Sequence, residues 1–378
     1  MTKKKKIGII TIHRINNYGS VLQAYALQET ISKLGFAVEI IDYLYPNNFH
    51  RKHSADKNLN TYSENFKGKL CRLFFKAIFI LQLLKQHRNI SKFIMHYLNL
   101  SFSQFHSPFE LEHNLQSYDV YVTGSDQIWN PRYTKGDASF FFGFLNNVKK
   151  VAYSSSFGLS DIPEQYKERY DKYLRSFSHI SVREKSGIRI VRNLSGKEAK
   201  LVLDPTLLLE ASAWNKIALP PKFKYKYILC YFLNYTFNAF PYVDDLAEFI
   251  SKETGFPLIH VARPPQKLIN KNSFFKVDAS PEEFLGLVAN AELVLTTSFH
   301  GTAFAINYNK PVYAIVQNRM AKDSRLKDLM QAVGLSSRIL YMGDAFPRKE
   351  DLFEMPSFVV EKLNLLREDS LNYLSASL

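Results

Sequence analysis

The feature that most constrains the fold is an apolar run, a loop, an amphipathic helix and a second apolar run near the amino terminus. Ile7–Ile12 is almost entirely apolar, as a strand buried on both faces of a parallel sheet should be. A broad apolar face predicts a helix over Val21–Leu34, which Gly35 ends. Phe36–Asp42 is the next predicted strand. This βαβ unit predicts a parallel sheet with a right-handed crossover, and hence an α/β fold.

The loop between the first strand and its helix, His13–Ser20, is polar. It contains neither the GxGxxG pattern of dinucleotide-binding folds nor the GxxxxGK[ST] pattern of phosphate-binding loops. Asn16, Asn17 and Gly19 tolerate left-handed backbone conformations that could turn N–H groups toward an anion. The same residues would suit a tight turn without a ligand, and the loop alone favours neither interpretation.

Polar residues follow four consecutive predicted strands farther along the chain. The strands are Val120–Thr123, Val151–Ser154, His179–Val182 and Leu201–Leu203, and the polar residues after them include Gly124–Pro131, Ser155–Ser156, Arg183–Glu184 and Asp204–Thr206. The carboxyl ends of parallel strands meet at one edge of a sheet, where open α/β folds bind ligands. Loop packing gives no reason for the repetition, so we predict a ligand-binding cleft at this edge.

Residues 46–115 interrupt the alternation of strands and helices. A polar loop is predicted over Pro46–Ser63 and a helix over Phe66–Lys85. Residues 51–100 contain ten Lys or Arg and two acids, which accounts for +8 of the formal charge of +14. This basic segment is either a helical insertion packed on the body of the protein or an amphipathic helix at an anionic membrane surface. Nucleic-acid binding is disfavoured, because no recognition motif accompanies the basic residues.

The second half of the chain repeats the α/β pattern after a Pro- and Lys-rich linker, Trp214–Lys226. The predicted fold is α/β, with two facing Rossmann-like domains, parallel sheets and a helical basic insertion in the first domain. The predicted boundaries are residues 1–213 for the first domain, with its insertion at about 46–115, and 227–345 for the second. Residues 346–378 form a carboxyl-terminal helix that could pack back on the first domain.

Several classes of protein are excluded by composition. Cys71 and Cys230 lie far apart and outside any Cys/His cluster, so we predict neither a disulfide framework nor a metal site. The lysines of the first six residues precede an apolar run that is too short for a signal peptide. Because no stretch approaches the roughly 20 apolar residues that span a bilayer, the sequence predicts a cytoplasmic protein.

A short stretch in the second half, Ser298–Thr302, places a histidine and two hydroxyls between a strand and a helix. The strand is Leu293–Thr297, and the helix begins at about Ala303. Free N–H groups at a helix start attract anions, and strand ends of this kind hold ligands. A packing role would favour apolar residues there, so we predict that His300 has a functional role.

Taken in order, five motifs resemble the polysaccharide pyruvyl transferase family. They are Asn16–Leu27 (NNYGSVLQAYAL), Gly124–Asn130 (GSDQIWN), Ser181–Glu184 (SVRE), Leu203–Thr206 (LDPT) and Ser298–Thr302 (SFHGT). The resemblance covers most of residues 7–335 but not the insertion. It implies a GT-B-like pair of domains, phosphoenolpyruvate as the donor substrate, no cofactor, and a sugar of a growing surface glycan as acceptor. The usual product in the family is a cyclic pyruvate ketal.

The resemblance also assigns donor-binding residues, with one departure. Arg183 and His300 match the arginine and histidine that contact phosphoenolpyruvate in the family. Many members carry an arginine two positions before this histidine, where the present chain has Ser298. Arg325 is the predicted substitute, with Lys322 and Arg14 as further candidates; alternatively, the departure marks a different donor.

The expected chemistry needs cations and N–H donors for the donor's carboxylate and phosphate, and an acid and a base for proton transfer. Catalytic roles are predicted for His300 as the acid, Arg183, and Asp126 as the base, with Glu184 as an alternative base. Capping or ion pairing with Arg183 would explain both carboxylates equally well. The predicted donor-binding residues are Arg183, Ser298, His300, Gly301, Thr302 and Arg325.

The acceptor is predicted to bind to the first domain. Trp129 could stack on a sugar ring, although a core tryptophan would fit the same pattern. The predicted acceptor-binding residues are Asn16, Asn17, Tyr18, Gly19, Gln23, Ser125, Gln127, Trp129 and Asn130.

Two other functions suit the same sequence: a nucleotide-sugar glycosyltransferase of GT-B architecture, and a non-catalytic glycan- or membrane-binding protein. A lipid-linked acceptor would place the protein at the inner face of the membrane, in contact through residues 51–100.

Overall fold

Two parallel sheets organise the molecule. The computed structural model describes residues 4–44, 66–233, 237–262, 273–321 and 323–378, with the backbone alone for 66–79. The first sheet contains β1 (Lys6–Ile10), β2 (Ala37–Tyr43), β3 (Leu100–Phe105), β4 (Val120–Thr123), β5 (Lys150–Ser155), β6 (His179–Val182) and β7 (Lys200–Leu201). Its helices are α1 (Tyr18–Lys33), α2 (Phe66–Tyr97), α3 (Pro108–Asn114), α4 (Pro131–Thr134), α5 (Glu164–Arg175), α6 (Lys185–Ser195) and α7 (Ala211–Trp214).

The second sheet is built the same way. It contains β8 (Ile228–Tyr231), β9 (Leu258–Val261), β10 (Ser273–Lys276), β11 (Leu293–Thr296), β12 (Val312–Val316) and β13 (Ile339–Tyr341). Its helices are α8 (Tyr242–Thr254), α9 (Pro281–Asn290), α10 (Phe299–Asn307) and α11 (Arg325–Ala332), and α12 (Phe358–Ser377) ends the chain.

The strand orders show that both domains are Rossmann-like. They are β3-β2-β1-β4-β5-β6-β7 and β10-β9-β8-β11-β12-β13, with parallel pairing throughout. Chain direction across each sheet reverses between its first and fourth strands, and such switch points are where open α/β sheets bind ligands. The predicted fold class, two parallel-sheet α/β domains, is therefore confirmed.

The structure corrects the prediction of a helical insertion at about residues 46–115. Its helix does not end at Lys85 but continues to Tyr97, because Ile90, Phe93 and Ile94 are buried in the core. The following Leu100–Phe105 pairs with β2 in parallel, so this segment continues the βαβ alternation and adds an edge strand instead of interrupting it. The predicted loop Pro46–Ser63 lies outside the described residues.

The first helix also begins earlier than expected. Tyr18–Ser20 belong to the first turn of α1 and not to the preceding loop, because the Asn17 side chain accepts a hydrogen bond from Ser20 N and caps the helix.

Apolar packing joins the two domains. Tyr18 of α1 stacks on Phe284 of α9 at a ring-centroid distance of 4.8 Å. Trp214, at the start of the predicted linker, is buried against Tyr25 of the first domain and Phe304 of the second. The predicted linker therefore begins at an anchor between the domains.

The carboxyl-terminal helix α12 contacts both domains. Arg367 Nε donates to Leu207 O at 2.7 Å, and Arg367 Nη2 donates to Asn307 Oδ1 of α10 at 3.2 Å. Ser370 Oγ accepts from Leu203 N at 3.0 Å. Together with the aromatic contacts, these bonds hold the two switch points opposite each other.

Candidate active site

Polar residues from both switch points meet between the domains. Ser125 and Asp126 follow β4, and Ser298 caps α10 immediately after β11. His300 lies in the first turn of α10, and its Nε2 is 3.7 Å from Asp204 Oδ2 of the first domain. The structure therefore brings the predicted His300, Arg183 and Asp126 together in one interdomain cluster.

Asp204 lies at the centre of this cluster. Its Oδ2 accepts from Arg183 Nη1 at 2.8 Å and from Ser125 Oγ at 2.8 Å, while Oδ1 accepts from Thr206 N and Oγ1. Burial alone would raise the pKa of this carboxyl, but His300 and Arg183 outweigh burial and hold the pKa well below its usual range. Asp204 is thus an ionised carboxylate that serves both domains.

Asp126 is the second carboxylate of the cluster. Its backbone is left-handed (φ 74°), which turns the side chain toward α1, where Ser20 Oγ donates to Oδ2 at 2.5 Å. Arg183 Nη2 donates to Oδ1 at 3.3 Å, a longer contact than the one Arg183 makes with Asp204. Burial opposes ionisation, but Arg183 and His300 hold the pKa of Asp126 below its usual range. Asp126 is therefore an ionised carboxylate.

Arg183 is buried and touches both domains. Its guanidinium lies over the ring of Phe299, 4.6 Å from the centroid, and donates to Asp204 and Asp126. The Nε atom is buried and has no hydrogen-bond partner among the described residues. Arg183 therefore keeps one donor that the protein itself does not use.

His300 is held by close packing against α1. A Cβ atom at Gly19 would lie 2.0 Å from His300 Nδ1, so only glycine allows this approach. His300 Nε2 is buried, and no described residue is within hydrogen-bond distance of it. The imidazole is therefore fixed in place with a free ring nitrogen, as a proton-transfer group should be.

Arg325 enters the cluster from the second domain. Asp323 accepts from Arg325 Nε at 2.8 Å and from Nη2 at 2.5 Å, and this fork fixes the guanidinium plane. With its amide oxygen turned toward Arg325, Gln127 accepts from Nη1 and Nη2 at 3.2 and 3.1 Å. Arg325 is buried, and the charges of Glu184 and Asp126 favour its cationic form.

Glu184 is fully buried beside the two arginines. Its Oε1 accepts from the backbone N–H groups of Phe157 and Gly158 at 2.8 and 3.2 Å. Its Oε2 has no partner in the described parts of the chain. Burial raises the pKa of Glu184 despite the nearby Arg183 and Arg325, so this side chain is a weaker acid than Asp126 or Asp204.

Buried polar atoms are nearly always hydrogen-bonded in folded proteins. In this cluster an arginine nitrogen, a carboxyl oxygen and an imidazole nitrogen lack partners from the described residues (Arg183 Nε, Glu184 Oε2 and His300 Nε2). Their chemistry suits a ligand that carries negative charge and undergoes proton transfer.

Most of the predicted acceptor-binding residues have structural roles instead. The prediction that Trp129 stacks on a sugar ring is corrected by the structure. Trp129 is fully buried, stacks on Phe141 and donates to Phe140 O, so it presents no face to a sugar. Gln23 is buried and donates to Thr11 Oγ1 and to two backbone oxygens. Both side chains hold the walls of the cleft together.

Three further predicted acceptor residues are buried and engaged. The Tyr18 hydroxyl donates to Ala279 O of the second domain. Ser125 donates to Ser154 O and Asp204, and Asn130 caps α4 through Arg132 N.

Asn16, Asn17 and Gln127 are exposed or half-buried. Their role in acceptor binding stays a prediction, and Gly19 serves to admit His300.

Several residues of the cluster were not assigned roles from the sequence. Asp204 belongs to a recognised strand-end motif, but nothing in the motif showed that it would face His300. Ser20 and Phe299 lie in the recognised motifs, but no local pattern shows that Ser20 bonds to Asp126 or that Phe299 packs on Arg183 across the domain interface. Asp323 lies in a polar loop, where nothing showed that it would orient Arg325. Of the other candidate cations, Arg14 is paired with Asp42 away from the cluster, and Lys322 lies outside the described residues.

The described residues also bear on metal binding and on membrane insertion. They contain no group of three His, Cys, Asp or Glu side chains arranged to hold a metal ion. None of the described helices combines the length and the apolar character needed to cross a bilayer.

Comparison with known proteins agrees with this geometry. A family model described as "Polysaccharide pyruvyl transferase" matches residues 17–319, and no curated protein sequence matches significantly. A putative UDP-N-acetylglucosamine 2-epimerase from Listeria monocytogenes is similar in structure (TM-score 0.50, 10% identity, 99% of this chain and 91% of that one). So is S. aureus MnaA with UDP (TM-score 0.50, 14% identity, 97% and 91%). At these identities the likeness concerns the fold alone.

Proposed function

The chain belongs to the polysaccharide pyruvyl transferase family, and on that premise we propose that it transfers a pyruvyl group from phosphoenolpyruvate to a sugar of a surface polysaccharide. The observation that carries this proposal is the interdomain cluster of Arg183, Asp204 and His300, in which Arg183 Nε and His300 Nε2 have no hydrogen-bond partner from the described residues.

The donor would bind through two arginines. Phosphoenolpyruvate presents a carboxylate and a phosphate, which suit guanidinium groups. The predicted N–H donors of Gly301 and Thr302 at the start of α10 already donate to Ser298. Arg183 would use its free Nε and would exchange the 3.3 Å contact with Asp126 for the donor. Arg325, oriented by Asp323, would supply the cation that Ser298 cannot.

Proton transfer would follow from the same arrangement. His300 protonates the donor's methylene carbon as a sugar hydroxyl adds to the adjacent carbon and Asp126 takes the hydroxyl proton. Phosphate then leaves, taking the proton from Asp126, and the resulting oxocarbenium ion is trapped by the second hydroxyl. The proton of that hydroxyl returns to His300. One hydroxyl proton thus ends on the new methyl group and the other on phosphate, and the product is a cyclic ketal.

Asp126 suits the role of base better than Glu184. Asp126 is tied to Arg183 by a long contact that the donor can replace. Burial raises the pKa of Glu184 and so makes it the stronger base, but its side chain is completely enclosed. Glu184 instead holds the Phe157–Gly158 backbone in place through two hydrogen bonds.

The test is to combine the protein with phosphoenolpyruvate and candidate glycan acceptors. Phosphate release and a product heavier by one pyruvate ketal are expected, together with donor binding by calorimetry. Arg183→Ala should abolish donor binding, whereas Arg192→Ala, an exposed arginine paired with Glu198, should not. No donor binding, and no phosphate release with any acceptor, would contradict the proposal.

A second candidate function is transfer from a nucleotide sugar, favoured only by the likeness to MnaA with UDP. Uridine diphosphate would then raise the melting temperature and phosphoenolpyruvate would not, since a ligand that binds only the folded state stabilises it. The opposite result supports pyruvyl transfer. A protein that binds glycans without turnover would be stabilised by neither compound.

The acceptor's form and the protein's location belong to the same proposal. We infer that the acceptor is a lipid-linked precursor, which would place the protein in the cytoplasm at the inner face of the membrane. The support is the basic character of residues 51–100, which carry +8 of the formal charge.

A further inference from the structure

Helix α2 has one buried face and one exposed face, and the two differ sharply. Gln86, Ile90, Phe93 and Ile94 are buried against the first domain. On the other side, three large apolar side chains are mostly exposed: Leu81 at 66%, Leu84 at 60% and Met95 at 67%. Single exposed apolar residues are ordinary, but three on one helix face point to a binding surface.

Basic side chains occupy the same face. Lys85, Arg88 and Lys92 are exposed and alternate with the apolar residues. At 100° per residue, these six positions fall within an arc of about 100°, and they extend along roughly 21 Å of the helix. We call this surface the α2 stripe (Leu81, Leu84, Lys85, Arg88, Lys92 and Met95).

The charge of α2 indicates what kind of partner surface would bind the α2 stripe. Phe66–Tyr97 contains seven Lys or Arg and no Asp or Glu. Within the stripe, Lys85 is paired with Asp278 of the second domain, which leaves Arg88 and Lys92 as its cations. Apolar side chains mixed with such cations complement a layer of anionic headgroups over acyl chains. Helix α12 provides the contrast, because its exposed Val360 and Leu365 lie among Glu361 and Glu368.

The inner side of α2 reaches the candidate active site. Gln86 Nε2 donates to the Tyr18 hydroxyl at 2.8 Å, and His87 Nδ1 is 2.7 Å from Asn16 Oδ1. These contacts hold the start of α1, where Gly19 packs on His300 and Ser20 bonds to Asp126.

The helix also contacts the second domain. Lys85 pairs with Asp278, and Asn89 donates to Asp278 O at 2.9 Å. A partner surface that binds the α2 stripe would therefore lie beside the candidate active site and close to both domains.

From this arrangement we infer that the α2 stripe docks the protein on an anionic lipid surface and so presents the loop at Asn16 to a lipid-linked acceptor. The inference rests on the proposed function for the identity of the acceptor. The docking itself depends only on the stripe. A membrane-bound stripe brings the acceptor's sugar to the site from the lipid side, and the donor enters from solution.

The experiment is flotation of the full-length protein with vesicles. Vesicles of equal parts phosphatidylglycerol and phosphatidylcholine are compared with vesicles of phosphatidylcholine alone, at low and at physiological salt. The wild-type protein should float with the anionic vesicles and bind at least tenfold less to the neutral ones. Raising the salt should weaken this binding, because it screens the charges.

Two variants test the stripe. Arg88→Gln with Lys92→Gln should reduce binding to anionic vesicles about tenfold or more, since each basic residue near a membrane contributes about a factor of five. Separately, Leu81→Gln with Leu84→Gln should also reduce this binding about tenfold or more. Leu365→Gln on α12 is the matched control, because Leu365 is 61% exposed, and it should bind as the wild type does. All variants should bind phosphoenolpyruvate normally by calorimetry, because the substituted residues lie outside the cluster.

The outcomes separate this inference from the proposed function. Flotation without phosphoenolpyruvate binding would support the docking surface and contradict the proposed reaction. Donor binding without flotation, or equal losses in the stripe variants and in Leu365→Gln, would overturn the docking surface alone. So would a dimer that dissociates on Leu81→Gln with Leu84→Gln, because the stripe would then be an interface between two copies.

Discussion

Two clusters in this protein contain the same three residue types, yet only one resembles a reaction site. The first is the interdomain cluster of His300, Arg183 and Asp204. The second is His13, Arg14 and Asp42, at the carboxyl ends of β1 and β2. In the second cluster, Asp42 accepts from Arg14 Nε at 2.8 Å and Nη2 at 2.6 Å.

The second cluster leaves little unsatisfied. His13 Nδ1 lies 3.0 Å from Thr11 O, and His13 Nε2 lies 3.2 Å from Asp42 Oδ1. Gln104 Nε2 also donates to Asp42, at 2.8 Å. In the interdomain cluster, by contrast, Arg183 Nε and His300 Nε2 have no hydrogen-bond partners in the part of the chain that is described, and Asp204 lies 3.7 Å from His300 Nε2.

From this difference we infer that hydrogen-bond satisfaction, and not composition, distinguishes a cluster with a structural role from one that binds a ligand. A satisfied network of buried charges fixes a local geometry, and breaking it costs stability. A network that leaves an arginine nitrogen and an imidazole nitrogen without hydrogen bonds lowers the stability of the free protein, and a ligand that bonds to them restores that stability. Each of the following substitutions tests whether the two clusters divide in this way.

Replacing the two histidines should give the largest contrast. His300→Ala should lower turnover by about 100- to 10,000-fold, since a general acid contributes that much, and should leave the melting temperature close to that of the wild type. His13→Ala should leave turnover per folded molecule unchanged and should lower the free energy of unfolding by about 1–3 kcal/mol, because Asp42 loses a buried partner. Phosphate release and thermal unfolding measure the two effects. Equal losses of turnover in both variants would remove the distinction between the clusters.

Arg325 and Arg14 form a matched pair for comparison, because each donates to an aspartate through Nε and Nη2. Arg325→Gln should raise the KM for phosphoenolpyruvate about 10- to 100-fold, the expected effect of losing a hydrogen bond from a charged donor. Arg14→Gln should leave that KM unchanged, because Arg14 faces Asp42 alone. Steady-state kinetics with varied donor decides between them. If Arg14→Gln raised the KM and Arg325→Gln did not, Arg14 would be the cation that replaces the missing arginine.

Asp42 should stabilise the protein in a way that depends on pH. Burial would raise its pKa, but His13 and Arg14 hold it well below the usual value. Its contribution is therefore fully present above about pH 4, the ordinary pKa of an aspartate, and is lost as the pH falls toward the depressed folded value. Asp42→Asn should lower the free energy of unfolding by about 2–3 kcal/mol near neutral pH.

Denaturant titrations of both proteins between pH 7 and pH 3 measure this contribution. The wild-type and Asp42→Asn curves should converge toward the acid end, whereas a difference that stays constant with pH would assign the loss to packing. The control is Asp171→Asn, on an exposed helix face, which should change stability little at any pH.

The parts of the fold that the sequence predicted, and those it did not, follow from burial. The central strands are continuous apolar runs, such as Val120–Thr123, and were predicted. The unpredicted strands β3, β10 and β13 all lie at sheet edges. Partial exposure relaxes the demand for apolar residues in β3 and β10, whereas β13 is apolar but only three residues long. Leu100–Phe105 alternates polar and apolar residues instead, and its burial is correspondingly uneven.

The site was predicted by the same logic and with the same limit. Strand-end polarity pointed correctly to where Asp126, Arg183 and His300 lie, since carboxyl ends of parallel strands share one edge. Polarity could not show which side chains turn inward, so Trp129 and Gln23 were assigned to the acceptor although both are buried. Contacts between domains, such as Gly19 with His300, require the relative placement of two sheets, which no local pattern encodes.

Substitution of Ser298 should have the smallest effect on turnover and stability. It tests, within the site itself, whether a side chain whose hydrogen bonds are satisfied has only a structural role. Ser298 stands where many family members carry an arginine, and the sequence suggested that it binds the donor. Its hydroxyl instead accepts from Gly301 N at 3.3 Å and caps α10. Ser298→Ala should therefore lower the free energy of unfolding by about 1 kcal/mol, as loss of a cap does, and change the donor KM less than threefold. Ser298→Asp, which keeps the cap, should retain stability but weaken donor binding by adding a negative charge. A large rise in KM for the alanine variant would show that the hydroxyl leaves its cap to hold the donor.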